Sequence, residues 1–140
     1  EKSLGCTQKG GLSPVNAVLR YGDQAKVKGL NLLEGPGNDI VSTTALTAAG
    51  ANLILFTTGR GTPLGAPAPT LKIATNTSIY KKKAQWFDFN AGRLLEGVSM
   101  RELAAELFAE IIQVASKKRY ARNEVNDYRD IAIFKNGVTL

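Results

Sequence analysis

The chain has 140 residues, of which 44% are hydrophobic and 21% charged; this balance indicates one globular domain and excludes a disordered chain. Because it has no histidine and one cysteine, Cys6, it cannot form a Ser-His-Asp triad, a histidine-rich zinc site or an internal disulfide, and a reducing cytoplasm is expected. No apolar run approaches the roughly 20 residues of a membrane-spanning helix, and the net charge of +6 raises the question of an anionic ligand.

The N-terminal third is predicted to contain a loop, a helix and a strand. Residues 1–12 carry three glycines and are expected to form a loop; their polar start is unlike a signal peptide, and the missing initiator methionine suggests a domain cut from a longer chain. A short helix is predicted from Pro14 to Gly22, because proline is favoured at the first helical position and apolar residues follow at helical spacing. Residues 29–34 are predicted to form a strand.

The middle third is predicted to contain a helix between strands. After a turn rich in glycine and proline, Asn38 or Asp39 is expected to cap a helix that runs to Ala49. Residues 52–56 are a short apolar run, typical of a buried strand, and a glycine-rich loop follows them. The next strand is predicted at residues 70–75.

The C-terminal third contains the clearest helix pattern. The helix is predicted from Met100 to Ser116, with a capping box at its start and apolar residues three and four apart that form one face against a core. A strand at residues 86–89 and a turn at 90–92 are predicted before it. Residues 131–134 are predicted to form a terminal strand.

Short apolar strands that alternate with helices predict an α/β fold. We expect a single domain over residues 1–140, with a layered, mainly parallel sheet and helices on both faces. Ligands on such sheets usually bind beyond the carboxyl ends of the strands. Three glycine-rich loops are expected in that region: residues 5–11, residues 35–39 and residues 57–63.

The third of these loops has two interpretations. Its backbone N–H groups and Arg60 can hold a carboxylate, with the guanidinium making two parallel hydrogen bonds. Alternatively, the loop is a tight connection between strands with a solvated arginine. It matches neither the phosphate-binding P-loop nor the dinucleotide-binding fingerprint.

Other polar side chains have similar alternatives. Cys6, close to Lys9, could be a nucleophile or a metal thiolate, or an uncharged small residue in a turn. Asp39 could be a helix cap, a metal ligand or a base. Lys72 lies in a strand that is buried on at least one face, so its amine must reach solvent, pair with an acid or face a site.

The basic residues raise the question of nucleic acid as a ligand. They cluster at residues 81–83 and 117–122, but aromatic residues make up only 7% of the chain, so a stacking platform for bases is not expected. A solvated surface, or attraction of an anionic small substrate, accounts for the clusters more simply. We therefore predict neither a nucleic-acid partner nor a membrane partner.

Six segments in series resemble the altronate/galactarate dehydratase family, and together they span most of the chain. They are EKSLGCTQKGG at 1–11, PGND at 36–39, LFTTGRGTP at 55–63, LKIATN at 71–76, DFNAGR at 88–93 and IAIFKNGVTL at 131–140. Several motifs in the same order and at similar spacing are far more specific than any one of them. The resemblance is to the C-terminal domain of these enzymes, which implies a larger protein with an N-terminal and a central domain.

The resemblance implies a hydro-lyase that acts on a sugar acid. It favours D-altronate, converted to 2-keto-3-deoxy-D-gluconate, because the galactarate enzymes lack the Cys-Thr-Gln stretch found here at residues 6–8. Galactarate dehydratase and a sulfolactate sulfo-lyase subunit are alternatives within the family. A base removes the proton α to the carboxylate and the β-hydroxyl leaves, so nearby cations that stabilise the enediolate intermediate would accelerate the reaction.

The resemblance also implies roles for individual residues. Lys9 and Lys72 are candidates for the base or for charge stabilisation, and Asp39 for holding a metal or orienting a lysine. Substrate binding, including a clamp on the carboxylate, is expected from the third loop and two other polar residues: Thr57, Thr58, Gly59, Arg60, Gly61 and Thr62, with Gln8 and Asn38.

A ferrous ion is expected from the family, as a Lewis acid that binds substrate oxygens. The resemblance does not identify the ligands of this ion: Cys6 or Asp39 could contribute, and the main ligands could lie in the absent domains. The expected partners are the substrate, the rest of the same enzyme and a second copy of it, and the isolated domain is expected to be inactive. The non-enzyme alternatives are a basic polyanion-binding domain and a structural domain whose glycine loops merely connect strands.

Overall fold

The computed structural model describes residues 9–135. In chain order the elements are strands β1 (Val15–Leu19) and β2 (Leu30–Leu33), helix α1 (Asp39–Ala48), strands β3 (Ile54–Thr58) and β4 (Thr70–Ala74), helix α2 (Thr77–Lys82), strand β5 (Phe89–Asn90), helix α3 (Met100–Ala115) and helix α4 (Arg122–Val125). Two 3₁₀ helices, Ala84–Trp86 and Ala91–Glu96, flank β5. Within the described range, no helix is long and apolar enough to cross a membrane.

All the strand pairs are parallel, which confirms the predicted α/β class, and the strands are divided between two sheets. β1 pairs with β2, whereas β3, β4 and β5 form a three-stranded sheet with β4 in the middle. The register of β3 and β4 runs without a bulge from Ile54 opposite Thr70 to Thr58 opposite Ala74. Both strands therefore end at the same edge, where the loop that begins at Gly59 leaves the sheet.

The central strand β4 is buried along its whole length. Its side chains alternate between the two faces of the sheet. Leu71 belongs to an apolar cluster with Val114 of α3, and Ile73 to a cluster with Leu103 of the same helix. Lys72 therefore points to the opposite face, where it is enclosed with 1% of its surface exposed.

Asn123 of α4 is a buried polar side chain that holds the approach to β4. It is 1% exposed, and its Oδ1 accepts a hydrogen bond from the Thr70 amide (2.8 Å). Its Nδ2 lies within hydrogen-bond distance of three carbonyls: those of Ala66 (3.4 Å), Ala68 (3.5 Å) and Tyr128 (3.2 Å). One side chain thus ties together three segments whose backbone groups would otherwise be buried without partners.

Asp88 has a similar role between β4 and α4. Its two carboxylate oxygens accept hydrogen bonds from the amides of Lys72 (2.9 Å) and Arg122 (2.9 Å). Burial raises the pKa of Asp88 above its ordinary value, while these two amides and the Arg119 guanidinium at 3.8 Å favour the ionised form. The carboxylate thereby fixes where α4 begins relative to the sheet.

The helix predicted from Pro14 to Gly22 is wrong, because this segment is strand β1. Pro14 precedes the strand, where its missing N–H removes no bond from the sheet. The β-branched residues Val15 and Val18 suit an extended chain, and β2 supplies the hydrogen-bond partner that replaces a helical turn. No residue of β1 is fully buried.

The terminal strand predicted at residues 131–134 is also wrong, since this segment forms no strand. Side chains bind its amides instead. The Ala132 amide donates to Thr44 Oγ1 of α1 (3.1 Å), and the Phe134 amide donates to the Tyr21 hydroxyl (2.9 Å). The segment therefore crosses from α1 to the end of β1 as a strap fastened by side chains.

The strand predicted at residues 86–89 is shorter and begins later, because a 3₁₀ helix occupies its first position. The predicted turn that follows opens the second 3₁₀ helix, in which Asn90 Oδ1 accepts from the Gly92 amide (3.0 Å). A Cβ on Gly92 would lie 2.3 Å from the Thr77 amide nitrogen. Only glycine fits this crossing of two segments.

The helices predicted around residues 39–49 and 100–116 are confirmed as α1 and α3, within one residue at each end. The predicted apolar face of α3 is covered in part. Leu103 is 3% exposed and lies in the core, whereas Met100 is 67% and Phe108 63% exposed. The periodicity therefore identified the helix correctly but overstated how much of its apolar surface the domain itself buries.

Candidate active site

A cleft of about 400 Å³ opens between the start of α1 and the loop that leaves β3. Three separate segments of the chain line it: Asn38, Asp39 and Ile40; Thr62, Pro63 and Leu64; and Asp130. Among the residues predicted to bind substrate or act in catalysis, the cleft brings together Asn38, Asp39 and Thr62. Because two of the three glycine-rich loops meet here, this cleft is the candidate site.

The first wall is the N-terminus of α1. Asn38 Oδ1 accepts from the amides of Ile40 (3.1 Å) and Val41 (3.3 Å), so Asn38 is the N-cap. Asp39 is the first helical residue and exposed, which leaves its carboxylate out of the cap. The positive end of the helix dipole stabilises a negative charge at this position. Asp39 can therefore accept hydrogen bonds from a ligand in the cleft.

The second wall is formed by Thr62, Pro63 and Leu64, and the loop of residues 59–62 leads into it. Each of the four consecutive carbonyl groups of this loop accepts a hydrogen bond from a side chain. The carbonyl of Gly59 accepts from Asn76 Nδ2 (3.0 Å), those of Arg60 and Gly61 from Lys83 Nζ (3.0 and 3.4 Å), and that of Thr62 from Lys72 Nζ (2.8 Å). The position of this backbone is thus set by three donors: Lys72 of β4, and Asn76 and Lys83, which flank α2.

Lys72 lies directly behind the cleft. Its Nζ donates to the Thr62 carbonyl and lies 5.8 Å from the centroid of the Tyr128 ring. Burial lowers the pKa of Lys72 to about 8, against the opposing effect of the carboxylates of Asp88 and Asp130. Near neutral pH the amine is therefore mainly charged with a neutral fraction, and it supplies positive charge to the wall that contains Thr62.

Asp130 is a lining residue that the sequence did not single out. Its Oδ2 accepts from the Gly65 amide (3.2 Å), and its own amide donates to the Gly65 carbonyl (2.7 Å). This pair of hydrogen bonds between Gly65 and Asp130 places a second carboxylate, beside that of Asp39, in the cleft lining. Nothing local in the sequence marks Asp130, because its position depends on the path of the strap across the sheet.

The other predicted residues lie outside the cleft lining. Thr57 and Thr58 are at the end of β3, and Arg60 is exposed on the adjoining loop. Lys9 is exposed, and no hydrogen bond among residues 9–135 joins it to the lining. Cys6 and Gln8 lie outside the described residues, so their predicted roles stay predictions.

Sequence reasoning also missed the residues that support the loop. Lys83 belongs to a run of three lysines that was expected to be solvated, yet it is half-buried and its Nζ lies 4.7 Å from the centroid of the Trp86 ring. Asn76 was noted only as part of a motif. A basic run before a tryptophan was the available signal, since such pairs make cation–π contacts.

The described residues do not supply a full set of metal ligands. No group of three or more Asp, Glu, Cys or His side chains comes together within residues 9–135. The cleft itself offers two carboxylates, Asp39 and Asp130, and the Asn38 carbonyl oxygen is already used in capping α1. This donor set is too small for a resident ferrous ion held by this part of the chain alone.

Comparison with known proteins gives a consistent result. A family model described as "D-galactarate/Altronate dehydratase, C-terminal" matches residues 1–139. Altronate dehydratase of Escherichia coli (strain K12) is 54% identical over 140 residues, which cover 100% of this chain and 28% of that protein. Altronate dehydratase of Bacillus subtilis (strain 168) is 53% identical over 141 residues, with the same two shares.

A galactarate dehydratase (L-threo-forming) of Escherichia coli (strain K12) is more distant. It is 36% identical over 137 residues, which cover 96% of this chain and 26% of that protein. The chain therefore spans little more than a quarter of the length of these curated relatives.

Proposed function

The chain belongs to the D-galactarate/altronate dehydratase family, as its C-terminal domain, and on this premise we propose that it is part of a hydro-lyase that converts D-altronate to 2-keto-3-deoxy-D-gluconate. The substrate is inferred from the difference in sequence identity to the relatives. The two proteins named altronate dehydratase are 54% and 53% identical to the chain, whereas the one named galactarate dehydratase is 36% identical. Galactarate is the second candidate substrate.

The reaction removes one molecule of water from the sugar acid. A base takes the proton from the carbon next to the carboxylate, the hydroxyl on the following carbon leaves as water after protonation, and the enol that remains rearranges to the ketone. Negative charge builds up on the carboxylate side during the first step. Fixed positive charge near that carboxylate therefore stabilises the transition state more than the bound substrate.

The cleft offers different chemistry to the two ends of such a molecule. The carboxylates of Asp39 and Asp130 accept hydrogen bonds from hydroxyl groups, but they repel another carboxylate. Arg60 lies two residues before Thr62, on the loop that leads into the wall formed by residues 62–64. We propose that the hydroxyl groups contact the two aspartates and that the carboxylate is held at the Arg60 end of the loop.

Lys72 is assigned to charge stabilisation. Its amine is enclosed and donates to the Thr62 carbonyl, so it acts on the loop from behind rather than on a substrate proton. Lys9 is the remaining lysine candidate for the base. A base role for Lys72 makes a different prediction: kcat/KM would rise with pH through about 8, and Lys72→Met would abolish that rise.

A ferrous ion, expected from the family, would draw most of its ligands from the rest of the enzyme. The described residues hold no group of three ligand side chains, and Asp39 with Asp130 can at most add to a site completed elsewhere. When bound, such an ion supplies Lewis-acid chemistry at substrate oxygens. The 140-residue chain by itself is therefore expected to bind Fe²⁺ weakly.

The partners follow from the length of the relatives. Since the chain matches 28% of each altronate dehydratase, we propose that the remaining domains complete the site and that the isolated chain is inactive. The full enzyme is proposed to work in the cytoplasm, a reducing compartment that suits the single cysteine of this chain, with a second copy as a candidate partner.

The test compares the full-length enzyme with the 140-residue chain, each with Fe²⁺ and either D-altronate or galactarate. The proposal is supported if the full-length enzyme forms 2-keto-3-deoxy-D-gluconate and the 140-residue chain does not. It also requires that kcat/KM of the full-length enzyme is larger for D-altronate than for galactarate. Preference for galactarate would reassign the substrate. Turnover by the isolated chain would show that the site needs no other domain, and tight, salt-dependent binding of DNA or RNA without turnover would favour the polyanion alternative.

A further inference from the structure

We propose that Lys83, assisted by Asn76, is a positioning residue that turns the loop of residues 59–62 so that the amides of Arg60 and Thr62 face the substrate carboxylate. This inference rests on the proposed function, because it assigns the loop to the carboxylate end of a sugar acid. Lys83 touches the loop backbone and is not assigned any contact with the substrate.

The direction of the loop carbonyls determines where the loop amides point. Those of Gly59 and Gly61 accept hydrogen bonds from Asn76 and Lys83, so they point toward the two residues that flank α2. All peptide bonds in the described chain are trans, and in a trans peptide the N–H of the next residue points opposite to the carbonyl. The amides of Arg60 and Thr62 therefore point away from Asn76 and Lys83.

These two amides also differ from their neighbour. The Gly61 amide donates to Thr58 Oγ1 at 3.1 Å, so it already has an acceptor within the loop. Within residues 9–135, the amides of Arg60 and Thr62 donate to no acceptor. Two alternate amides and one guanidinium on a short loop form the kind of concave donor set that binds a carboxylate.

The place of Lys83 is itself well defined. Its Nζ lies over the Trp86 ring at 4.7 Å, and it donates to the carbonyls of Arg60 and Gly61. Gly61 has a φ of +76°, and a Cβ there would lie 3.0 Å from Lys83 Cδ and 3.2 Å from the Phe87 ring. The loop thus packs against the lysine stem as closely as glycine allows.

Asn76 fixes the other end of the loop. Its Nδ2 donates to the Gly59 carbonyl, while its Oδ1 accepts from the Ile79 amide and caps α2. The two residues that flank α2, Asn76 and Lys83, therefore hold the first three residues of the loop, and Lys72 holds Thr62. A charged donor is suited to this task, because hydrogen bonds from a charged group are stronger than neutral ones.

The experiment uses the full-length enzyme with D-altronate and compares Lys83→Met with Lys82→Met. Both changes remove one lysine from the same run, but Lys82 is exposed and its side chain makes no hydrogen bond to the described residues. Lys83→Met is expected to raise KM about tenfold with a smaller effect on kcat, and Lys82→Met to change neither by more than about twofold. Lys83→Arg keeps a charged donor and is expected to restore much of the loss.

A second readout separates anion binding from general loosening. Competitive inhibition by a non-reactive sugar acid should weaken about tenfold in Lys83→Met, whereas inhibition by the corresponding neutral polyol should stay the same. If Lys83→Met does not fold, Asn76→Ser tests the same loop, because serine still caps α2 but does not reach the Gly59 carbonyl.

Equal KM values for Lys83→Met and Lys82→Met, or equal weakening of the acid and the polyol, would overturn the inference. These outcomes are distinct from failure of the proposed function, which would appear as absence of D-altronate turnover in the unaltered enzyme.

Discussion

The two parallel sheets of this domain differ in how completely they are enclosed. All five residues of β4, from Thr70 to Ala74, are buried, whereas no residue of β1 or β2 is. Val18 in β1 is 75% exposed, although parallel sheets are usually covered on both faces. The same pairing geometry thus occurs once in a packed core and once near the surface.

The difference lies in what surrounds the strands. The three-stranded sheet has α3 on one face, and the buried side chains of Asn123 and Asp88 bind the backbone groups at its margins. The connection between the two strands of the smaller sheet is joined to the rest of the described chain by the Phe134 amide, which donates to the Tyr21 hydroxyl, and by the Ala25 amide, which donates to the Ala49 carbonyl after α1. The loop of the candidate site leaves the enclosed sheet, so its geometry is fixed by the best-packed part of the molecule.

The largest loss of stability is expected from Gly65→Ala, which introduces a clash beside the enclosed sheet. A Cβ at Gly65 would lie 2.2 Å from the Tyr128 carbonyl oxygen and 2.7 Å from Asn123 Cβ, so the backbone at Tyr128 and helix α4 must move. We expect the free energy of unfolding to fall by about 3 kcal/mol. Urea denaturation of the chain measures it. Gly37→Ala is the control, since a Cβ there meets nothing within 4 Å, and equal losses in both variants would contradict the packing described here.

Asn123→Ala is expected to have the next largest effect. It leaves the Thr70 amide buried without its acceptor, and we expect a loss of about 2 kcal/mol in the same urea experiment. Asn126→Ala is the matched control, because Asn126 makes one exposed hydrogen bond to the Gln85 carbonyl. A loss for Asn123→Ala no larger than for Asn126→Ala would show that Asn123 does not hold this region together.

Lys72→Met is expected to change how the free energy of unfolding depends on pH. The folded-state pKa of Lys72 is lowered from 10.5 to about 8, so between these values the unfolded chain binds more protons and stability rises with pH. Between pH 7 and pH 10 the unaltered chain should therefore gain on the order of 2 kcal/mol relative to Lys72→Met. Denaturation at both pH values tests this. If the difference in unfolding free energy between the two proteins does not change with pH, burial does not lower the pKa of Lys72.

The smallest effect is expected from Val18→Thr in β1. The side chain is 75% exposed, and threonine keeps the β-branched shape that favours an extended chain. We expect the unfolding free energy of the 140-residue chain to change by less than about 0.5 kcal/mol. A loss comparable to that of Asn123→Ala would mean that the two sheets are equally packed.

The sequence predicted the enclosed region well and the open region poorly. The apolar run at residues 52–56, which overlaps β3, and the capped, periodic helix α3 produced signals that the structure confirms. β1 was mistaken for a helix because its few apolar residues fit either period when neither face is buried. The segment at 131–134 has strand-like composition, but Thr44 and Tyr21 bind its amides, and such long-range partners leave no trace in local sequence.

The part of the candidate site that lies in glycine-rich loops could be predicted from the sequence. Asn38, Asp39 and Thr62 lie in glycine-rich loops, and the cleft brings them together as the position of such loops in an α/β fold leads one to expect. Asp130 and Lys83 could not be identified, because their contacts with Gly65 and with the loop depend on how distant segments cross.

The most direct test of the account is kcat/KM for D-altronate in the full-length enzyme carrying Asp39→Asn, measured beside Asp127→Asn. Asp127 is an exposed carboxylate outside the cleft lining, and asparagine tolerates its φ of +54°. If the start of α1 contacts the sugar acid, Asp39→Asn lowers kcat/KM about 10- to 100-fold with only a small fall in melting temperature from the lost helix-dipole interaction, and Asp127→Asn does not change kcat/KM. Equal activity of the two variants would place the active site elsewhere.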